Sequence, residues 1–187
     1  DGAVSTAKIA SSAVDLTSKV TGVLPVANGG TGVSIAPPYM HVRDEKSVGT
    51  NAGGSSAGVN IRVLNTVVTN TIAGASLASN QITLPAGTYR FNGSTPSLRS
   101  GQNKSYLYNV TTSALAIAGT SEYSATADTI QVRSHVMGRL TISSNTVFEF
   151  RLDLNDVKTG DGLGIANGGS GVAGVEVYTV LEIFKEA

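Results

Sequence analysis

The sequence predicts an all-β fold, an antiparallel sandwich or jelly roll, and three observations predict it. From Tyr39 onward, short runs alternate apolar and polar residues with period two; clusters of Gly, Pro, Asn and Ser separate these runs; and no stretch of ten or more residues carries an amphipathic helical pattern. Successive side chains of a strand point to opposite sides of its sheet, so alternation marks a strand with one face in a core and the other outside. Many short strands without crossover helices exclude a βαβ architecture.

Strands are expected over 39–44, 60–70, 80–84, 87–96, 104–111, 115–120, 129–142, 146–152 and 174–184. Within 129–142, Ile130, Val132, Ser134, Val136, Gly138, Leu140 and Ile142 form one series, with Gln131, Arg133 and His135 on the other side. Phe148, Phe150 and Leu152 alternate with Val147, Glu149 and Arg151. In the last strand, Val175, Val177, Thr179, Leu181 and Ile183 oppose Glu176, Tyr178, Val180, Glu182 and Phe184. Leu84-Pro85-Ala86-Gly87 places proline and then glycine ahead of an aromatic strand, the chemistry of a tight turn, and Ser100-Gly101-Gln102-Asn103 is a second turn. The longest loop lies between Asp153 and Ala173; its Ala166-Asn167-Gly168-Gly169-Ser170-Gly171-Val172 nearly copies Ala27-Asn28-Gly29-Gly30-Thr31-Gly32-Val33, a similarity of turn demands rather than a domain repeat.

Residues 1–36 read differently and form a separate unit, a thin stalk with a glycine-rich linker, ahead of a head domain over 37–187. The stalk holds no aromatic residue, and its aliphatic positions are too sparse to close a core alone. Val4, Ile9, Val14, Leu16 and Val20 are buried only if identical copies lie alongside, so a trimeric stalk is expected, helical or extended. Val23-Leu24-Pro25-Val26-Ala27-Asn28-Gly29-Gly30-Thr31-Gly32 ends it with a turn; no Lys-Ser/Thr pair follows, which excludes a phosphate-cradling loop.

Composition narrows the function. The 187 residues suit one sandwich domain plus an extension, and 41 % hydrophobic content suffices for a core. Only 14 % are charged, well below the usual quarter, so the surface is polar through Ser, Thr and Asn or partly covered by other subunits. Zero net charge with scattered basic residues removes the electrostatic case for nucleic acid. There is no cysteine for a disulfide scaffold or thiolate site, and no apolar run of the length a bilayer requires, so no membrane insertion is expected. The chain opens on Asp1 without a signal segment and is expected to be cut from a longer protein.

No catalytic residue, metal or cofactor is expected. The two histidines, His41 and His135, sit within strands and outside any nucleophile elbow, which suits hydrogen-bonded or interface histidines. Glu149 and Glu176 could face a common surface, the minimum for glycoside hydrolysis, which leaves a polysaccharide depolymerase as a minor alternative. The run from Asp153 to Gly162 clusters oxygen ligands of the kind calcium takes, but lacks the calcium-loop spacing and terminal glutamate, so its carboxylates are read as solvated turn residues. Tyr106 and Tyr108, two apart, point off one face of a strand while Leu107 points to the core. Such a face is covered by a subunit or offered to a ligand, and a subunit interface is preferred, with Tyr178 and Phe184 as further members.

The string from Val20 to Gly32 resembles the linker that precedes the terminal domain of many bacteriophage tail-fibre proteins. Ile82-Thr83-Leu84-Pro85-Ala86-Gly87-Thr88-Tyr89, Leu107-Tyr108-Asn109-Val110-Thr111 and Gly174-Val175-Glu176-Val177-Tyr178 are similar to fibre tips of the C1q/TNF-like jelly-roll type. The resemblance implies a homotrimer of ten-stranded sandwiches with Tyr106, Tyr108 and Tyr178 near the threefold axis, and a tip at the distal end of a virion tail fibre. It implies receptor-facing loops over 98–104, 120–128 and 154–171, with Arg99, Gln102, Asn103, Lys104, Asp156, Lys158 and Asp161 as binding candidates. The implied partners are a host cell-surface glycan or protein and other virion tail proteins; the lack of tryptophan weighs against a carbohydrate pocket. A purely structural trimerisation or capping head is the alternative.

Overall fold

The structure, a computed structural model, describes residues 37–167 and 174–186. The stalk positions Val4, Ile9, Val14, Leu16 and Val20, the linker and residues 168–173 lie outside the described residues.

Among the described residues there are eleven strands: β1 (Tyr39–Ser47), β2 (Gly58–Ile61), β3 (Thr66–Asn70), β4 (Ser76–Ala78), β5 (Gln81–Leu84), β6 (Gly87–Leu98), β7 (Gly101–Asn109), β8 (Ala114–Ser124), β9 (Gln131–Ile142), β10 (Thr146–Leu154) and β11 (Val175–Lys185). They form two antiparallel sheets. One is five-stranded, in the order β3-β1-β11-β6-β9; the other is six-stranded, in the order β4-β5-β10-β7-β8, with β2 pairing the second half of β10. The expected all-β antiparallel sandwich is therefore the fold.

The alternations read from sequence fill the core in part: Ile130, ahead of β9, and Val175 and Val177, before the slip in β11, are exposed instead. Phe148, Phe150 and Leu152 are fully buried, as are Leu181 and Ile183 from β11 and Val136 from β9. Phe91 of the five-stranded sheet meets Phe148 of the six-stranded sheet edge-on, with ring centroids 5.8 Å apart. Gly93 lets the layers close: a Cβ there would lie 2.7 Å from both Leu181 Cδ1 and Phe150 Cε2. Along one edge the sheets are joined by Ser134 of β9, whose hydroxyl accepts from the Ser105 amide at 2.8 Å and donates to the Thr120 carbonyl at 2.6 Å.

Three expectations are corrected. The run 60–70 is two strands, because Arg62 and Leu64 are buried where the chain passes from the six-stranded to the five-stranded sheet. The turn at Pro85 lies as expected, held by the Tyr89 hydroxyl donating to the Pro85 carbonyl at 2.8 Å, but its flanking strands β5 and β6 lie in opposite sheets. Tyr178 does not face outward. Between Arg43 and Glu45 the β1–β11 register slips by one residue, so β11 sets Tyr178 and Thr179 against one residue of β1 and buries both.

That bulge adjoins a buried polar cluster. Arg62, 1 % exposed, donates from Nε to Thr179 Oγ1 at 3.0 Å and from Nη2 to the Leu163 carbonyl at 2.8 Å. Burial pulls its guanidinium down to about 10. Asp44 is fully buried, and neither carboxylate oxygen has a hydrogen-bond partner among the described residues; the Lys46 ammonium comes within 3.4 Å. Desolvation outweighs the nearby cations and raises the Asp44 carboxyl above its usual range.

Candidate binding groove on the six-stranded sheet

β7 lies between β10 and β8, and its outward residues are Gln102, Lys104, Tyr106 and Tyr108, alternating with buried Asn103, Ser105 and Leu107. Pairing sets Asp153 beside Lys104 and Arg151 beside Tyr106 from β10, and Tyr123, Ser121, Ala118 and Leu115 beside Gln102, Lys104, Tyr106 and Tyr108 from β8. Two depressions follow. A notch of about 340 Å³ is walled by Tyr106 and Tyr108 over Ala118 and Leu115. A wider groove of about 610 Å³ lies between Gln102, Tyr123, Glu122 and Asn155. Lys104 and Asp153 line both, so the two adjoin.

The walls are fixed by contacts behind them. The Arg151 guanidinium lies over the Tyr108 ring, 3.5 Å from its centroid, and pairs with Glu149 at 2.6 Å; Glu149 also accepts from Gln81 Nε2 at 2.9 Å. Burial is the largest influence on Arg151 and pulls it down, but the hydrogen bonds and charges of Glu149 and Tyr106 together raise it. The Tyr106 phenol is itself raised by burial. At the far end, the turn after β10 is clipped to β7: the Asn155 amide donates to the Gln102 carbonyl and its Nδ2 to Gln102 Oε1, both at 3.1 Å. Gly101, at φ +66°, makes room for the Asp156 carboxylate, which a side chain at that position would strike. Asn103 is 4 % exposed; its Nδ2 donates to the Gly101 carbonyl at 3.3 Å, and its Oδ1 has no partner among the described residues.

Of the residues singled out in the sequence, Gln102, Asn103 and Lys104 line this groove. Asp156 sits behind its end, at Gly101. Arg99 turns away to donate to the Asp128 carbonyl at 3.0 Å and to Thr129 Oγ1. Lys158 pairs with Asp161 at 3.6 Å, and its amide donates to Ser55 Oγ at 3.0 Å, away from the groove. Tyr123 and Asn155 fall within the expected receptor-facing loops 120–128 and 154–171 but were not singled out, and Asp153 was missed. The first lies on an extension of β8 beyond its expected end, and the others reach β7 only through the β10 register.

The proposed interface residues divide between two faces. Tyr106 and Tyr108 are on the outward face of the six-stranded sheet, as expected, with Leu107 in the core. Phe184 is on the outward face of the opposite sheet, 4.8 Å from the Tyr39 ring and with Arg90 4.4 Å over it. There the Tyr39 hydroxyl donates to Glu182 at 2.7 Å; burial and this bond push the phenol up to about 12. His41, the cross-strand neighbour of Glu182, keeps Nε2 buried and without a hydrogen-bond partner among the described residues, and desolvation lowers its pKa. Tyr178 belongs to neither face: it is 3 % exposed and its hydroxyl donates to the Thr50 carbonyl at 2.7 Å.

The pair Glu149 and Glu176 does not share a surface, since β10 and β11 lie in opposite sheets. Glu149 is committed to Arg151 and Gln81, while Glu176 accepts from the amides of Gly49 and Asn167 at 3.1 and 3.2 Å. Among the described residues no three His, Cys, Asp or Glu side chains gather to hold a metal, and no helix is long and apolar enough to cross a membrane.

No family model and no curated protein matches the chain in sequence. Solved structures do match in shape. Murine APRIL at pH 8.0 is similar over 79 % of this chain and 98 % of its own, at 8 % identity and a TM-score of 0.53. The same protein at pH 5.0 gives 80 %, 98 %, 7 % and 0.54. The fold is a C1q/TNF-like jelly roll. The globular domain of zebrafish complement 1qA protein is more distant, with 14 % identity over 81 % of this chain and a TM-score of 0.46. At such identities the likeness concerns the jelly roll alone, and the chemistry of this one is argued from its own residues.

Proposed function

We propose that this jelly roll is a non-enzymatic homotrimeric head at the distal end of a bacteriophage tail fibre, holding the virion to a receptor on the host surface. The observation that carries the reading is the placement of an aromatic-walled polar groove and a second, aromatic face on opposite sheets of one sandwich. One face is then free for a ligand while the other packs against copies of the chain. The tail-fibre part rests on the linker string from Val20 to Gly32.

The five-stranded face suits the trimer. It offers the Tyr39–Phe184 stack and exposed Met137, and self-association explains how a chain with so few charges hides apolar surface. Tyr106 and Tyr108 are on the opposite sheet, so a contact across the Phe184 face leaves them for the ligand. Three heads on one stalk convert weak single contacts into firm attachment. Sedimentation at micromolar concentration tests the assembly: a trimer mass is expected, and a monomer overturns it. Adhesion of the purified chain to a panel of bacterial strains tests attachment; absence of adhesion to every strain favours a purely structural capping head.

A further inference from the structure

We infer that the groove on the six-stranded sheet takes a neutral oligosaccharide, laid along β7 from the tyrosine notch to the turn at Asn155. This deepens, and rests on, the reading of the chain as a receptor-binding head. Length comes first. From Tyr108 to Gln102 the strand covers about 20 Å at its usual rise, and the two depressions adjoin over that span. That is a track for several sugar units in a row.

Charge selects among polymers. Lys104 contributes one positive charge, and Asp153 and Glu122 one negative charge each, so the lining carries a net charge of −1. Such a lining repels uronic or other acidic chains and sets two carboxylates against the single cation it offers a phosphate, while a neutral chain pays no such cost. The remaining polar lining consists of amides and hydroxyls, from Gln102, Asn155 and Ser121, which both donate to and accept from sugar hydroxyls.

The aromatic groups complete the match. Tyr123 is 62 % exposed at one end, and Tyr106 and Tyr108 stand at the other. Rings with a polar tip suit the apolar C–H face and hydroxyl rim of a pyranose. Arg151 covers one side of the Tyr108 ring and holds it in place, so little order is lost when a ligand arrives. A protein partner fits less well, because the lining lacks the broad apolar centre on which such interfaces concentrate their energy.

The test is binding of the purified chain to an array of neutral (hexose and N-acetylhexosamine) and acidic (uronic and sialic) oligosaccharides. Neutral chains are expected to bind, with a loss of tenfold or more in Tyr123→Ala and in Asn155→Ala, both checked for an unchanged melting curve. Lys158→Ala, outside the groove, leaves binding unchanged. Signal confined to acidic chains, or neutral binding indifferent to the groove variants, overturns the inference. Adhesion to whole cells separates it from the broader reading. Adhesion that survives periodate oxidation of the cells and both groove variants overturns the carbohydrate ligand but leaves receptor attachment standing.

Discussion

The Arg151 guanidinium lies over the Tyr108 ring, 3.5 Å from its centroid, while the same group pairs with Glu149 at 2.6 Å, so one side chain fixes an aromatic wall and neutralises a carboxylate only 5 % exposed. Removing it strands that charge. Arg151→Ala is expected to destabilise the fold by about 2 kcal/mol in urea unfolding. Arg151→Ala with Glu149→Gln is expected to recover part of the loss. A double variant no better than the single one speaks against the charge account.

Gly93 is a point of close approach between the two layers. Gly93→Ala places a methyl group against Leu181 and Phe150, and a cost of about 1–3 kcal/mol is expected from forced repacking, read as a lowered melting temperature. An unchanged melting curve means that the sheets part more easily than the contacts indicate.

Asp44 gives the fold a signed response to pH. Its carboxyl is raised by burial, so the folded state holds the proton more tightly than the unfolded chain does. Between the unfolded carboxyl value, near 4, and the raised folded value, the folded protein binds more protons, and stability falls as pH rises through that window. Relative to Asp44→Asn, wild type is therefore expected to gain stability as pH drops from 7 toward 4.5. A difference that stays flat with pH contradicts the assignment.

Tyr178 acts at the other end of the scale. Its phenol is pushed up to about 12, first by burial and then by Glu176 and Asp44, so the unfolded chain ionises first above pH 10 and stability is lost between 10 and 12. Tyr178→Phe is expected to flatten that alkaline loss and to cost about 1 kcal/mol at pH 7, where the Thr50 carbonyl loses its donor.

Much of the sandwich is legible because its strands obey a period of two over long stretches. Phe148, Phe150 and Leu152, or Leu181 and Ile183, declare their face without any knowledge of partners. Where the backbone breaks that period, the sequence misleads. Tyr178 looks outward by parity, and only the slip opposite Asp44 turns it in. Arg62 looks like a strand residue, yet it fills the passage between sheets. β4, three residues long, is too short to show a pattern. The groove is half legible: Gln102 and Lys104 were singled out as residues of a receptor-facing loop, although Gln102 lies in β7 where a turn was expected, whereas Asp153 and Asn155 depend on a pairing some fifty residues away.

The last strand, β11, sits at the middle of its sheet, between β1 and β6. This eleven-residue strand therefore bridges β1 and β6, setting Ile183 between Met40 and Phe91 and Leu181 beside Val42. A truncation that takes β11 away removes the hub of the layer instead of trimming its rim.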